Sequence, residues 1–166
     1  MTPIAPGAGV LLVGITAAAA VSDLRTRRIP NLLPLALVIG ALALHAFDGF
    51  PALAADVCVG VVAFVAGTLA FARGWLGGGD VKLIAAAAVA AGAGGALSLV
   101  LDVLIAGGVL AVADAVRRGR VRALVASTIV SSMGGVPTEG TRLPYGVAIA
   151  AGACTYVLAP FLRFPG

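Results

Sequence analysis

From Ile4 to Ser22 the chain runs for roughly 19 residues without a charged side chain, enough at about 1.5 Å per residue to cross the ~30 Å hydrocarbon of a bilayer. Comparable runs follow, each bounded by Arg, Asp, Gly or Pro. A chain patterned this way folds in lipid. Composition agrees, since 61% hydrophobic and 11% charged residues with a mean hydropathy of +1.12 leave too little polar surface for a water-soluble domain of 166 residues. The apolar excess is Ala, Val, Leu and Gly, which suits helices packed through small side chains rather than a barrel of alternating strands. The expected fold is all-α: a single integral-membrane domain over 1–166, a polytopic transmembrane helical bundle of about six spans with both termini on the extracytoplasmic side.

The first run is not read as a signal peptide. No basic residue precedes it, and Arg25, Arg27 and Arg28 follow it, the reverse of a secretory n-region. A short basic loop, Leu24 to Asn31, is expected next, with Pro30 disfavouring helix at Ile29 and Asn31 capping the second span. Spans two and three are expected over about Leu32–Phe47 and Ala52–Ala72, with Arg73 and Trp75 as interfacial anchors. Span four is a difficulty: between Asp80 and the glycines at 92–95 it has only roughly 15 residues. Either its start is sunk in a water-accessible vestibule, the reading preferred, or the glycines belong to the helix and the turn lies nearer Ser98. Span five is expected over Leu97–Val116, an interfacial segment over Ala123–Ser132, a loop over Met133–Leu143 and a last span over Pro144–Leu162. Under this topology every Lys and Arg except Arg163 falls on one side, the cytoplasmic one, so the pI near 9.8 reflects membrane orientation and implies no nucleic acid. Cys58 and Cys154 stand alone in apolar runs, as packing residues without metal-ligand or disulfide spacing.

Two acids call for explanation. Asp80 follows Gly77-Gly78-Gly79, where a carboxylate also serves as a helix N-cap at the positive end of a dipole. Asp23 closes the first run, where the helix dipole gives a carboxylate nothing and neighbouring arginines are its ordinary partners. Two acids at one depth on one face look more like a site than either does alone. A pair of carboxylates a few ångströms apart shares one proton; the ionised member activates water while the protonated one hydrogen-bonds a scissile carbonyl. Because the titration belongs to the pair, neither is assigned as permanent base. The glycines before Asp80 would let an extended substrate backbone approach closely.

Three segments resemble a known family. Asp23-Leu24-Arg25-Thr26-Arg27-Arg28-Ile29-Pro30-Asn31 resembles the first catalytic motif of the type IV prepilin peptidases, and Gly77-Gly78-Gly79-Asp80-Val81-Lys82 resembles their second, the GxGD motif. Leu143-Pro144-Tyr145-Gly146-Val147-Ala148-Ile149 is similar to the start of the final span in the short Flp-pilus, or tight-adherence, members. The resemblance implies a membrane aspartic endopeptidase of the cytoplasmic (inner) membrane that removes the basic leader of prepilins at the cytoplasmic face, with Asp23 and Asp80 as the catalytic pair. It implies no metal and no cofactor. The long members carry an N-terminal region with paired CxxC motifs for N-methylation that this chain lacks, so methyltransferase activity is not expected. The implied partners are a prepilin or pseudopilin substrate and the lipid bilayer, with a homo-oligomer left open.

Gly77, Gly78, Gly79, Pro30, Asn31 and Lys82 are the candidate substrate contacts, although Lys82 also reads as an interfacial lysine that snorkels. Asp56 is expected to be solvated or paired with another helix, His45 to be structural, and Asp114 to lie near Arg117 and Arg118, while Asp102 has no explanation from sequence. Glu139 and Arg142 fall in the last cytoplasmic loop. Two rival classes stand beside the peptidase. A transporter would hold its acids near the midplane rather than at one surface, and a non-enzymatic assembly subunit would need neither acid.

Overall fold

The computed structural model describes residues 6–117, 119 and 145–162, and the regular structure among them is entirely helical. In chain order come α1 (Pro6–Thr26), α2 (Leu32–His45), α3 (Phe50–Ala72), α4 (Gly78–Ala91), α5 (Ala96–Arg117) and α6 (Tyr145–Leu162), with a 3-10 turn at Ala46–Asp48 after α2. The expected interfacial segment 123–132 and the loop 133–143, with Glu139 and Arg142, lie outside the described residues. Helices α1, α3 and α5 are long and apolar enough to cross a membrane; Leu32–Asp48 and Tyr145–Pro160 are shorter apolar stretches.

One of the two shortest helices is at the centre. Over its 14 residues α4 touches each of α1, α2, α3, α5 and α6, and Val81, Leu83 and Ala85 to Ala91 are all buried. A helix apolar on every side is stable only when surrounded. Sheathed by protein, α4 has no need to match the bilayer thickness, which resolves the short fourth span. It ends where expected, at Gly92, whose φ of +70° breaks the helix, and Ala96 N–H donates to the Gly92 carbonyl at 2.9 Å as α5 begins. The alternative turn near Ser98 is therefore excluded, since Ser98 lies inside α5.

Around this helix the others pack through small residues and branched side chains. Leu12, Leu37, Leu83, Leu99 and Ile149, one from each of α1, α2, α4, α5 and α6, are fully buried in a common core. By contrast α3 and α5 turn most of their apolar side chains outward, among them Val62, Val65, Leu104 and Ile105, as lipid-facing helices do. Cys58 is among the outward residues of α3, a correction to its reading as packing; Cys154 is half-buried, and both are free thiols. Because α2 and α3 scarcely meet, an apolar groove of about 580 Å³ opens between them, floored by Ala85, Ala86 and Val89 of α4.

The end of α1 and the cap of α2 differ from expectation, and α3 starts at Phe50 rather than Ala52. Helix α1 continues to Thr26, so Asp23 lies on its last turn rather than after it. Arg27 N–H donates to the Asp23 carbonyl at 2.9 Å, and Arg27 then stops the helix with φ +52°. The Ser22 and Thr26 hydroxyls donate to the Arg28 carbonyl at 2.9 and 3.2 Å, folding the connection back on α1. At the start of α2, Asn31 occupies the cap position but makes no side-chain cap bond, because its amide is engaged elsewhere.

The end of the bundle opposite Asp23 is closed by a polar cluster. Asp56 of α3 is buried; its Oδ2 lies 2.8 Å from His45 Nδ1 of α2, and its Oδ1 accepts the Ala93 N–H at 2.7 Å. One carboxylate thus ties α2, α3 and the α4–α5 turn together, and Asp56 takes the second of its two expected readings. Asp102, half-buried in the same half of α5, acts electrostatically on Tyr156 of α6, far along both helices from Asp23.

Candidate active site

At the other end the α1–α2 connection meets the start of α4. Ile29 packs over Gly79, where an added Cβ would lie 3.1 Å from the Ile29 Cβ. Lys82 Nζ donates to Asn31 Oδ1 at 3.0 Å, joining the same connection to α4. That bond accounts for Asn31 not capping α2, and it replaces the free snorkelling lysine with one tethered in place. Pro30 contributes its carbonyl to the Leu33 N–H at 3.1 Å.

This docking brings the last turn of α1 to the first turn of α4, and with them the two acids. Asp80 is the third residue of α4 rather than its cap. Gly77 occupies the cap position, and its N–H donates to Asp80 Oδ2 at 3.1 Å. The carboxylate therefore satisfies one of the orphan donors at the helix start. Asp23 Oδ2 accepts the N–H of Gly146, the second residue of α6, at 3.0 Å. Both acids are half-buried.

Asp80 lies at the polar end of α4, ahead of the apolar run that begins at Leu83. Burial raises its carboxyl from an ordinary 3.8 to about 6, against the pull of the Gly77 N–H, and the Asp23 charge adds a further rise. The two acids are thus close enough to sense each other. Two such groups can hold one proton between them, one accepting and one donating. Among the described residues no three of His, Cys, Asp and Glu converge as metal ligands.

Of the sequence candidates, Asp23, Asp80, Gly77, Gly79, Lys82, Asn31 and Pro30 all lie at this end. Gly77 and Gly78 are exposed, whereas Gly79 is approached by the chain's own Ile29. Two residues were missed as members of the site. Gly146 holds Asp23, and half-buried Tyr145, at the head of the same helix, lies within electrostatic reach of Asp80. The signal was present, because both belong to the third family-like segment.

The sequence profile of the type IV leader peptidase family matches residues 10–112, more than half of the chain and both acids. The match stops before α6, so Tyr145 and Gly146 stand outside it. Neither a curated protein nor a solved structure matches the chain.

Proposed function

Since the chain belongs to the type IV leader peptidase family, we propose that it is a membrane-embedded aspartic endopeptidase that cleaves the short basic leader from Flp-like prepilins. Its water-activating pair is Asp23 and Asp80. The observation that carries this reading is their meeting at one end of the bundle, each held by a glycine N–H, with the Asp80 carboxyl pushed up to about 6. In the reaction the ionised acid takes a proton from water as the oxygen attacks the scissile carbonyl, while the protonated acid hydrogen-bonds the carbonyl oxygen. Collapse of the tetrahedral intermediate returns that proton to the leaving amine.

Orientation follows from charge. Arg25, Arg27, Arg28, Arg73, Lys82 and Arg117, the Lys and Arg residues described, all sit at the end that carries the acids, which the positive-inside rule assigns to the cytoplasm of the inner membrane. Arg73 stacks 5.4 Å from the Trp75 ring centre, an interfacial anchor at that level. The groove between α2 and α3 is open to lipid, so a substrate anchored by its own apolar helix can approach sideways. The two cysteines form no CxxC pair, and cleavage without N-methylation is proposed.

The test is incubation of the protein, reconstituted in phospholipid vesicles, with a synthetic Flp-type prepilin and mass analysis of the product. A mature chain without its leader and without an added methyl group is expected even when S-adenosylmethionine is supplied. Intact substrate would sink the peptidase reading in favour of an assembly subunit or transporter; a methylated product would overturn the second part alone.

A pH profile follows from Asp80. Facing it are Asp23 from α1 and the Tyr145 phenol from α6, and above about pH 6 it loses its proton. Asp80 then has no proton to donate. We expect kcat/KM to fall on the alkaline side with unit slope and a midpoint within about one unit of 6. A flat profile from pH 5 to 8 would refute the shared-proton assignment.

A further inference from the structure

We propose that Gly146 is a positioning residue for the acid pair, its N–H fixing Asp23 and its missing side chain giving that carboxylate room against the α6 backbone. The inference rests on the reading that Asp23 and Asp80 react. Asp23 sits on the last turn of α1, where the negative end of the helix dipole disfavours a carboxylate. Something must offset that cost. Helix α6 does so, since its first N–H groups have no partner within the helix and its positive end meets the acid. Gly146 supplies one of these donors at 3.0 Å to Oδ2, and among the described residues Oδ1 accepts no hydrogen bond, which leaves it for proton exchange.

The contact requires glycine. A Cβ at 146 would stand 2.9 Å from the Asp23 Cβ and 3.1 Å from Oδ2, so any side chain pushes Asp23 away from α6. Gly77 holds Asp80 in the corresponding way at 3.1 Å. Each acid therefore has one oxygen tied to a glycine N–H at a helix start, and the pair is framed from two helices that are distant in sequence.

The first arm of the test compares leader cleavage by the wild type, Gly146→Ala and Gly108→Ala in vesicles. Gly108 has open space where its Cβ would be and serves as the control. We expect Gly146→Ala to lower kcat about a hundredfold with KM within about twofold, as a displacement of order 1 Å at a reacting group does. A Gly146→Ala enzyme with near-normal kcat overturns the proposal. A wild type that cleaves nothing sinks the peptidase reading instead.

A second arm needs no folded variant at 146. Tyr145-Gly146 is the sole Tyr-Gly peptide in the sequence, so labelling Tyr carbonyl carbons and Gly nitrogens isolates a single amide signal. That amide signal should move in Asp23→Asn, where an amide oxygen replaces the carboxylate acceptor, and stay in place in Gly108→Ala. An amide unmoved by Asp23→Asn removes the hydrogen bond, and the inference with it.

Discussion

Asp80→Asn is expected to reduce leader cleavage by at least about a thousandfold, or roughly 4 kcal/mol of transition-state stabilisation, while the protein still inserts and folds. The amide keeps an oxygen in the place where Oδ2 accepts the Gly77 N–H, so the start of α4 survives. What disappears is the exchangeable proton, without which neither water nor the scissile carbonyl is activated. Asp23→Asn should lose as much, since an amide can still accept from Gly146 but cannot act as a base. The double variant should be no worse than either single one, because the two act as a unit. Asp102→Asn, in the other half of the bundle, should retain near-normal turnover. Rates for leader removal by the purified variants decide this; substantial turnover by Asp80→Asn removes that residue from the chemistry.

Loss of stability rather than of chemistry is expected from Asp56→Ala. The substitution leaves His45 without its 2.8 Å partner and the Ala93 N–H without its acceptor, both at a buried junction of three elements. Breaking such a buried pair costs about 3–5 kcal/mol. For a domain of this size the melting temperature in detergent should drop by on the order of 10 °C. Asp56→Asn, which retains an acceptor for Ala93, should fall between the two. A melting curve for Asp56→Ala that overlays the wild type would show that the cluster contributes nothing to holding α2, α3 and the α4–α5 turn together. Since Asp56 and the acid pair lie at opposite ends, the folded fraction of Asp56→Ala should cleave normally.

Much of this arrangement is legible in the sequence because it depends on local properties. Uncharged runs give the helices, and Gly92 to Gly95 mark a turn that glycine alone makes easy. The basic clusters at 25–28, 73–82 and 117 mark one end of the bundle, and the two acids share that end through the order of helices. The end of α1 was harder to place. A charge at Asp23 suggests that the membrane helix has finished, whereas backbone hydrogen bonding carries it to Thr26, and only the positive φ of Arg27 ends it.

Asn31 and Lys82 illustrate a different limit. Each has a sensible local role, as a cap and as an interfacial lysine, and each gives that role up for a 3.0 Å bond to the other across 51 residues of sequence. His45 and Asp56 do the same at the opposite end. Polar groups in an apolar bundle seek one another, and the partner is set by which helices are neighbours.

By itself the sequence determined the helices, their order, the end that bears positive charge and the acids that stand there. Only the tertiary structure decided that α4 is the central helix, that Asp56 staples the opposite end, and that α6 supplies Gly146 to Asp23. The physical reason is that helices apolar around their whole circumference carry no polar face to fix their rotation or their neighbours. Length and hydropathy are read along the chain, but lateral contacts are chosen by side-chain shape and by the few hydrogen bonds that a dry interior makes obligatory.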